Sequence, residues 1–187
     1  MDFDKERNAL IQQIEISFSE RRSDEELIEF LQRMELADSQ NNPYETRHWE
    51  SMLRGHSWQE MLGDWRLVDM LKDPDYVRAI SNEALVYYLP AYMIQTATEL
   101  DWNIYLTILT PRIVDILGRL SLAQINALIA LAEFKVLHRQ LIDEGNLIYF
   151  SRSMIDSFED LGLRILGYLD EMGSILKRHE NDNQSPV

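Results

Sequence analysis

The hydrophobic pattern of this chain centres on one stretch, residues 81–98, whose apolar side chains do not keep to a single face. Residues 84–98 carry no formal charge, in a chain that is 27% charged. Apolar residues at helical spacing occupy two sides of this stretch: Leu85, Tyr88, Leu89 and Tyr92 on one, and Ala84, Tyr87, Ala91 and Ile94 on the other. A helix that is apolar on most of its circumference is a buried helix. The stretch therefore predicts a central helix around which the others pack.

Pro90 lies in the middle of this predicted helix. Inside a helix, proline removes one backbone hydrogen bond and crowds the carbonyl four residues earlier, here that of Val86, at a cost of about 3 kcal/mol. Proline also biases the residue before it away from the helical conformation. We therefore expect the central helix to kink, or to break in two, near Leu89.

Amphipathic helices are predicted before the central stretch. The first spans about residues 4–18 and is expected to bury Leu10, Ile11, Ile14 and Phe18. The second is expected to bury Leu27, Ile28, Leu31 and Met34. Residues 37–42 form the clearest loop. A short helix that carries Trp49 and Leu53 should end near Gly55, because glycine favours helix C-termini.

Three capping boxes mark helix starts, each a serine followed three residues later by Glu or Gln. They are Ser23–Glu26, Ser57–Glu60 and Ser121–Gln124. The second box opens a helix that groups Trp58, Met61, Leu62 and Trp65. The third opens a helix that is expected to stop near Gly145 and to bury Ile125, Leu128, Ile129, Ala132 and Val136.

The C-terminal part of the chain completes an all-α prediction. Residues 99–110 are expected to be helical or irregular, and Thr110–Pro111 is typical of a helix start. The last helix is predicted over residues 153–178, and residues 179–187 form a flexible tail. The sequence thus predicts an all-α protein with one compact helical domain, residues 1–178, around a proline-kinked buried helix.

Composition agrees with this prediction and narrows the chemistry. Apolar residues make up 45% of the chain, which supports a real core. The 7 glycines and 5 prolines are few, which favours helices over a turn-rich β fold. The chain has no cysteine, so disulfides, thiolate zinc sites and cysteine nucleophiles are excluded.

The net charge of −14 bears on the choice of partners. An acidic surface repels phosphate backbones and anionic lipids, so we expect neither nucleic acid nor a membrane as a ligand. It attracts a basic protein, although the same acidity also serves solubility alone. The charged N-terminus shows no secretion signal, and the longest uncharged run is too short to span a bilayer. A cytoplasmic protein is expected.

No motif in the sequence singles out a catalytic centre, a metal or a cofactor. The four histidines lie outside known metal-ligand patterns, and His56 with Glu60 supplies only two ligands at helical spacing. Nucleophile-elbow, P-loop and dinucleotide-binding motifs do not occur. Three aspartates, Asp69, Asp73 and Asp75, lack calcium-loop spacing and are typical of a solvated turn. We therefore predict no catalytic residues, no metal and no cofactor.

Aromatic residues around the central stretch provide the candidate binding site. Such rings either line a ligand pocket, where they give contact area and polar handles, or simply fill the core. Glu83 is the carboxylate nearest to them, and it serves either as a ligand contact or as a first-turn charge on the helix dipole. The candidate ligand- or partner-binding residues are Glu83, Tyr87, Tyr92, Trp58 and His56.

Three segments together resemble an uncharacterised family of small bacterial proteins. They are WQEML (Trp58 to Leu62), NEALVYYLPAYMI (Asn82 to Ile94) and RLSLAQINALIALAEF (Arg119 to Phe134), and IEISF (Ile14 to Phe18) is similar to the family's N-terminal helix. The family's central box has the form EAxxYYLPAxL, which Glu83 to Ala91 match. Because the family is a domain of unknown function, the resemblance implies a compact helical fold and no particular activity.

Charge, size and the lack of catalytic motifs favour a non-catalytic helical protein-binding domain. A specific version is an immunity-type inhibitor that covers a basic toxin, because electrostatic steering speeds such association. The alternative is a small-molecule-binding protein or enzyme with a pocket beside the kinked helix. A third is a homo-oligomer that assembles through its last helix.

Overall fold

The computed structural model describes residues 2–19, 24–36, 50–64, 66–68, 80–98, 112, 116–138, 163 and 167. Across these residues the protein is all-α and contains no β-strand. The helices are α1 (Phe3–Ser17), α2 (Asp24–Arg33), α3 (Trp58–Gly63), α4 (Asn82–Thr98) and α5 (Leu122–Leu137), with a 3-10 turn at Leu117–Arg119. Residues 50–53 and 66–68 are also helical.

Helix α4 is the central buried helix that the sequence predicts. Twelve of its seventeen residues are buried, and α1, α3 and α5 all pack against it. Its buried residues occupy every side of the helix, so neighbours are needed all around it. The core cluster joins α4 to residues from every other helix given above.

Pro90 does not break α4. The helix runs without interruption from Asn82 to Thr98, and Pro90 is itself buried inside it. A proline in a helix interior costs about 3 kcal/mol, whereas one fully buried Leu or Ile side chain contributes about 1.5–3 kcal/mol. Burial of the surrounding residues therefore holds the helix together through the proline. The predicted break near Leu89 is wrong, and the alternative of a kink stays a prediction.

Hydrogen bonds from Ser81 fix the start of α4. Its hydroxyl accepts from the Ala84 N–H at 3.0 Å and donates to the Glu35 carbonyl, while its own N–H donates to the Leu36 carbonyl at 2.9 Å. Ser81 is thus the N-cap of α4. It also ties the first turn of α4 to the chain that follows α2.

Both predicted capping boxes within the described residues form. The Glu60 side chain accepts from the Ser57 N–H at 2.7 Å, and the Ser57 hydroxyl accepts from the Glu60 N–H at 3.2 Å. In the same way, Gln124 accepts from the Ser121 N–H at 2.8 Å, and the Ser121 hydroxyl accepts from the Gln124 N–H at 3.3 Å. Each box satisfies two backbone groups at a helix start.

The predicted core is confirmed at most positions and corrected on α2. Among the predicted core residues, the buried ones are Leu10, Ile14, Phe18, Leu31, Met34, Leu53, Trp58, Met61, Ile125, Leu128 and Ala132. Ile28 is 62% exposed, so its predicted burial is wrong. The α2 stripe instead uses Phe30, which packs partly buried against the core. A step of about 100° per residue carries Ile28 away from the side that Leu27, Phe30 and Leu31 share.

Several predictions fall outside the described residues. These are the loop 37–42, Trp49, Trp65, the three aspartates, residues 99–110, Thr110–Pro111, the last helix, the tail and the Ser23 end of the first capping box. The helix after Ser121 ends at Leu137, before the predicted stop near Gly145.

Gly55 ends the helical turn of residues 50–53, and its backbone explains why. Its φ is +86°, a left-handed conformation, and a Cβ added there would lie 3.0 Å from the Gln32 Nε2 atom. The neighbouring Arg54 donates from Nη1 to the Gln32 carbonyl at 2.8 Å and to the Met34 carbonyl at 3.3 Å. This corner therefore joins residues 54 and 55 to the C-terminal end of α2.

Gly55→Ala should destabilise the protein by about 1–2 kcal/mol, since a left-handed conformation costs a residue with a Cβ roughly that much. Gly63→Ala is the matched control, because a Cβ at Gly63 meets nothing within 4 Å and Gly63 lies in α3. Alanine favours a helix by up to about 1 kcal/mol over glycine. Urea denaturation of both variants measures the difference, and equal effects would contradict the account of Gly55.

Candidate functional site

A cleft of about 940 Å³, open to solvent, lies beside the first turns of α4. It is formed by the end of α1, one face of α2, Trp58 of α3, the start of α4 and the segment that leads into α5. The lining residues are Ser17, Phe18, Ser19, Glu26, Glu29, Phe30, Arg33, Trp58, Glu83, Val86, Tyr87, Arg119, Ser121 and Gln124. Volumes of about 300–1,000 Å³ are typical of ligand sites.

Aromatic side chains supply the buried part of the cleft lining. Phe18, Trp58 and Tyr87 are buried, and Phe30 is half-buried. The ring centroids of Phe30 and Tyr87 lie 5.3 Å apart at an interplanar angle of 60°, an edge-on contact between α2 and α4. Such contacts hold both rings in place while leaving part of Phe30 accessible.

Tyr88 supports this aromatic pair from the core side. It is fully buried, and its ring lies 5.0 Å from that of Tyr87, centroid to centroid, at 80°. Its hydroxyl donates to the His56 carbonyl at 2.9 Å and also lies 3.3 Å from the Leu53 carbonyl. Burial raises the pKa of the Tyr88 phenol above its ordinary value of 10.0. Tyr88 is therefore a neutral anchor between α4 and the chain before α3.

Charged side chains form the rim of the cleft. Arg33 Nη2 contacts Glu29 Oε1 at 2.6 Å, an exposed pair one helical turn apart on α2. Glu83 accepts the Glu35 N–H at 3.3 Å through Oε2, which leaves Oε1 without a partner among the described residues. Arg119 makes no ion pair or hydrogen bond within the described part of the chain. The rim thus offers Glu83 and Arg119 to a ligand.

The indole of Trp58 adds an unusual polar group to this lining. The residue is 3% exposed, and its Nε1 atom is buried with no hydrogen-bond partner among residues whose placement the structure gives. A buried N–H without an acceptor costs about 1–3 kcal/mol. Trp58 therefore holds hydrogen-bonding capacity that the described protein groups leave unused.

Three of the five predicted site residues come together in the cleft, namely Trp58, Glu83 and Tyr87. Tyr92 is fully buried in the core and does not line it. His56 also lies outside the lining, with its Nδ1 atom 3.9 Å from Glu60 Oε2 and a side chain that is 48% exposed. Both alternatives posed for Glu83 fit its position, since it is in the first turn of α4 and lines the cleft.

The residues that α2 contributes to the cleft are not among the predicted site residues, although their spacing in the sequence indicates a shared helix face. The spacing i, i+3, i+4 and i+7 places four α2 residues on one face: Glu26, Glu29, Phe30 and Arg33. A half-buried aromatic residue among three charges indicates a boundary between core and solvent. Arg119 had no such signal, because it lies on a three-residue 3-10 turn that no periodic pattern in the sequence marks.

Comparisons with protein-family models, with curated proteins and with solved structures found no match to this chain. The resemblance carried by Glu83 to Ala91 therefore stays a prediction. No helix within the described ranges combines the length and apolar character needed to cross a membrane. Among those residues, no three His, Asp or Glu side chains gather in a way that could hold a metal ion.

Tyr88→Phe should lower the free energy of unfolding by about 1–2 kcal/mol at neutral pH, because two carbonyls lose their shared donor. Phenylalanine keeps the ring beside Tyr87, so the loss reports the hydroxyl. Urea denaturation of the variant and the unchanged protein measures it. A loss near zero would show that the hydroxyl does not anchor α4.

The same variant should alter the response to alkaline pH. Because the folded pKa of Tyr88 is raised, its hydroxyl contributes fully below pH 10.0, and the contribution falls as the unfolded chain ionises above that value. The stability difference between the unchanged protein and Tyr88→Phe should therefore shrink above about pH 10. Curves of unfolding free energy that stay parallel up to strongly alkaline pH would contradict this assignment.

Proposed function

We propose that this protein is a non-catalytic binding protein that receives a basic protein partner in the cleft. The observation that carries the proposal is the combination of buried rings with exposed carboxylates at the rim, Glu26 and Glu83. Buried rings provide contact area, and carboxylates select a cationic partner. The net charge of −14 steers such a partner toward the molecule as a whole.

The groups that line the cleft support binding more than catalysis. Among the lining residues whose placement the structure gives, none is a histidine, and the Ser121 hydroxyl accepts from the Gln124 N–H as part of a capping box. A hydroxyl nucleophile needs an adjacent base within hydrogen-bond reach. Within the described part of the chain, the hydrogen-bond partner of the Ser121 hydroxyl is this backbone N–H and not a carboxylate or an imidazole.

An immunity-type inhibitor is the specific form of this function that we propose, acting in the bacterial cytoplasm against a basic toxin. Its support is the acidity, the small helical fold and the resemblance in the Glu83–Ala91 box. Inhibitors of this kind work by covering a positive surface, and association of opposite charges is fast at low ionic strength.

The first test uses an oligolysine peptide as the basic partner and an oligoglutamate peptide of equal length as its control. Calorimetric titration at low ionic strength should detect binding of oligolysine alone, and salt should weaken it. The double variant Glu26→Gln with Glu83→Gln should lose about tenfold in affinity, if each lost charge contact contributes up to about 1 kcal/mol.

The matched control for that double variant is Glu15→Gln with Glu133→Gln. These two exposed carboxylates lie on α1 and α5 outside the cleft, so both double variants have the same net charge. The control should keep nearly full affinity. Equal losses in the two double variants would mean that net charge, and not the cleft, attracts the peptide, and the proposal would be wrong.

A small-molecule ligand is the second candidate function, which the cleft volume and the buried Trp58 N–H favour. A thermal-shift screen of metabolites tests it, since a ligand at about 100 times its dissociation constant adds about 2.7 kcal/mol of stability. A true ligand should lose this effect in Trp58→Phe, which keeps a ring and removes the N–H. Homo-oligomer formation stays a separate prediction.

A further inference from the structure

Two carboxylate–aromatic pairs meet in the cleft, one on each of two neighbouring helices. Glu26 and Phe30 lie four residues apart on α2, and Glu83 and Tyr87 lie four apart on α4. Residues at this spacing share one face of a helix. The rings of Phe30 and Tyr87 touch, with centroids 5.3 Å apart, and all four residues line the cleft. One carboxylate thus lies beside each ring of a contacting pair.

The pairing of an aromatic ring with a carboxylate on each helix suits a planar cation. Aromatic rings attract cations, and carboxylates accept hydrogen bonds from them. A guanidinium group is planar, stacks on rings and donates two parallel hydrogen bonds to a carboxylate, whereas an ammonium is a compact, strongly hydrated point charge. The pairing of rings with carboxylates therefore favours arginine over lysine.

Trp58 provides an independent indication of what accompanies the cation. Its buried N–H has no acceptor among the described residues, although the side chain lines this cleft. A main-chain carbonyl is the acceptor that every peptide carries. A peptide whose arginine binds in the cleft can supply this acceptor when the Trp58 indole, whose Nε1 atom is buried in the free protein, turns toward the cleft.

The other charges of the rim are consistent with this orientation. Arg33 is held by Glu29 at 2.6 Å, which reduces its repulsion of a second cation. Arg119 lies on the 3-10 turn before α5, a different wall of the cleft from α2 and α4. Glu83 keeps Oε1 available while Oε2 accepts from the Glu35 N–H.

We infer that the cleft binds an arginine residue within a segment of the partner protein, with the guanidinium at Phe30, Tyr87, Glu26 and Glu83. This inference rests on the proposed function and specifies the residue that the partner presents. It assigns Trp58 as a donor to the peptide backbone. It also gives Arg119, on a different wall of the cleft, the role of repelling a second cation.

The test compares three capped pentapeptides, each with four glycines around one central residue: arginine, lysine or citrulline. Citrulline is nearly isosteric with arginine and carries no charge. Calorimetric titration of the full chain at low ionic strength should show tightest binding for the arginine peptide. We expect the citrulline peptide to bind at least about tenfold more weakly and the lysine peptide about threefold to fivefold more weakly.

Variants then locate the site. Glu83→Gln and Glu26→Gln should each weaken the arginine peptide about threefold, while Glu15→Gln should leave it unchanged. Phe30→Leu should reduce the preference for arginine over lysine, because the stacking surface is lost. Arg119→Gln should tighten binding slightly by removing a like charge. A loss of binding in Arg119→Gln would instead indicate an anion site and overturn the inference.

The outcomes separate this inference from the function on which it rests. If oligolysine binds and depends on Glu26 and Glu83, but arginine, lysine and citrulline peptides bind alike, the arginine assignment is wrong and the binding function stands. If no basic peptide binds at low ionic strength, both are wrong. Selective arginine binding that Glu83→Gln weakens and Glu15→Gln does not would support both.

Discussion

The burial of α4 on all of its sides is the constraint on which the rest of the structure depends. An amphipathic helix can leave one face in water, but α4 has no polar face to expose, since twelve of its seventeen residues are buried. Neighbouring helices must therefore surround it, and α1, α3 and α5 do so. The same packing keeps the helix continuous through Pro90, where the local backbone by itself favours a break.

The few polar groups at this centre serve to anchor it. The buried Tyr88 hydroxyl lies within hydrogen-bond distance of two carbonyls in the chain before α3. The Ser81 hydroxyl hydrogen-bonds the first turn of α4 to the chain after α2. The Thr96 and Thr98 hydroxyls donate to carbonyls four residues earlier, so their hydrogen bonds are made within α4 itself. Hydrophobic burial stabilises α4 in the core, while the hydrogen bonds of Ser81 and Tyr88 fix its position relative to the neighbouring segments.

The cleft forms at the N-terminal end of this buried helix, where α4 comes to the surface. Glu83 is exposed and Tyr87, one turn later, is buried, so the helix passes from solvent to core within one turn of the cleft wall. Glu83 consequently serves two purposes: it accepts the Glu35 N–H and it presents a second carboxylate oxygen to the cleft. The cleft therefore combines buried aromatic side chains, which the core holds in place, with charged side chains at the surface.

The sequence by itself determined the helical class, the buried helix, two capping boxes and the turn at Gly55, because each depends on local spacing or on the conformation of a few consecutive residues. It also identified Trp58, Glu83 and Tyr87 as candidates, because aromatic rings are typical ligand contacts and Glu83 is the carboxylate next to the charge-free stretch that contains Tyr87. Only the tertiary structure decided that Tyr92 belongs to the core, that Ile28 faces solvent, and that α4 is continuous at Pro90. It alone brought α2 and Arg119 to the cleft. The reason is that each of these outcomes depends on how segments distant in the chain pack against one another, which the local spacing of apolar residues does not specify.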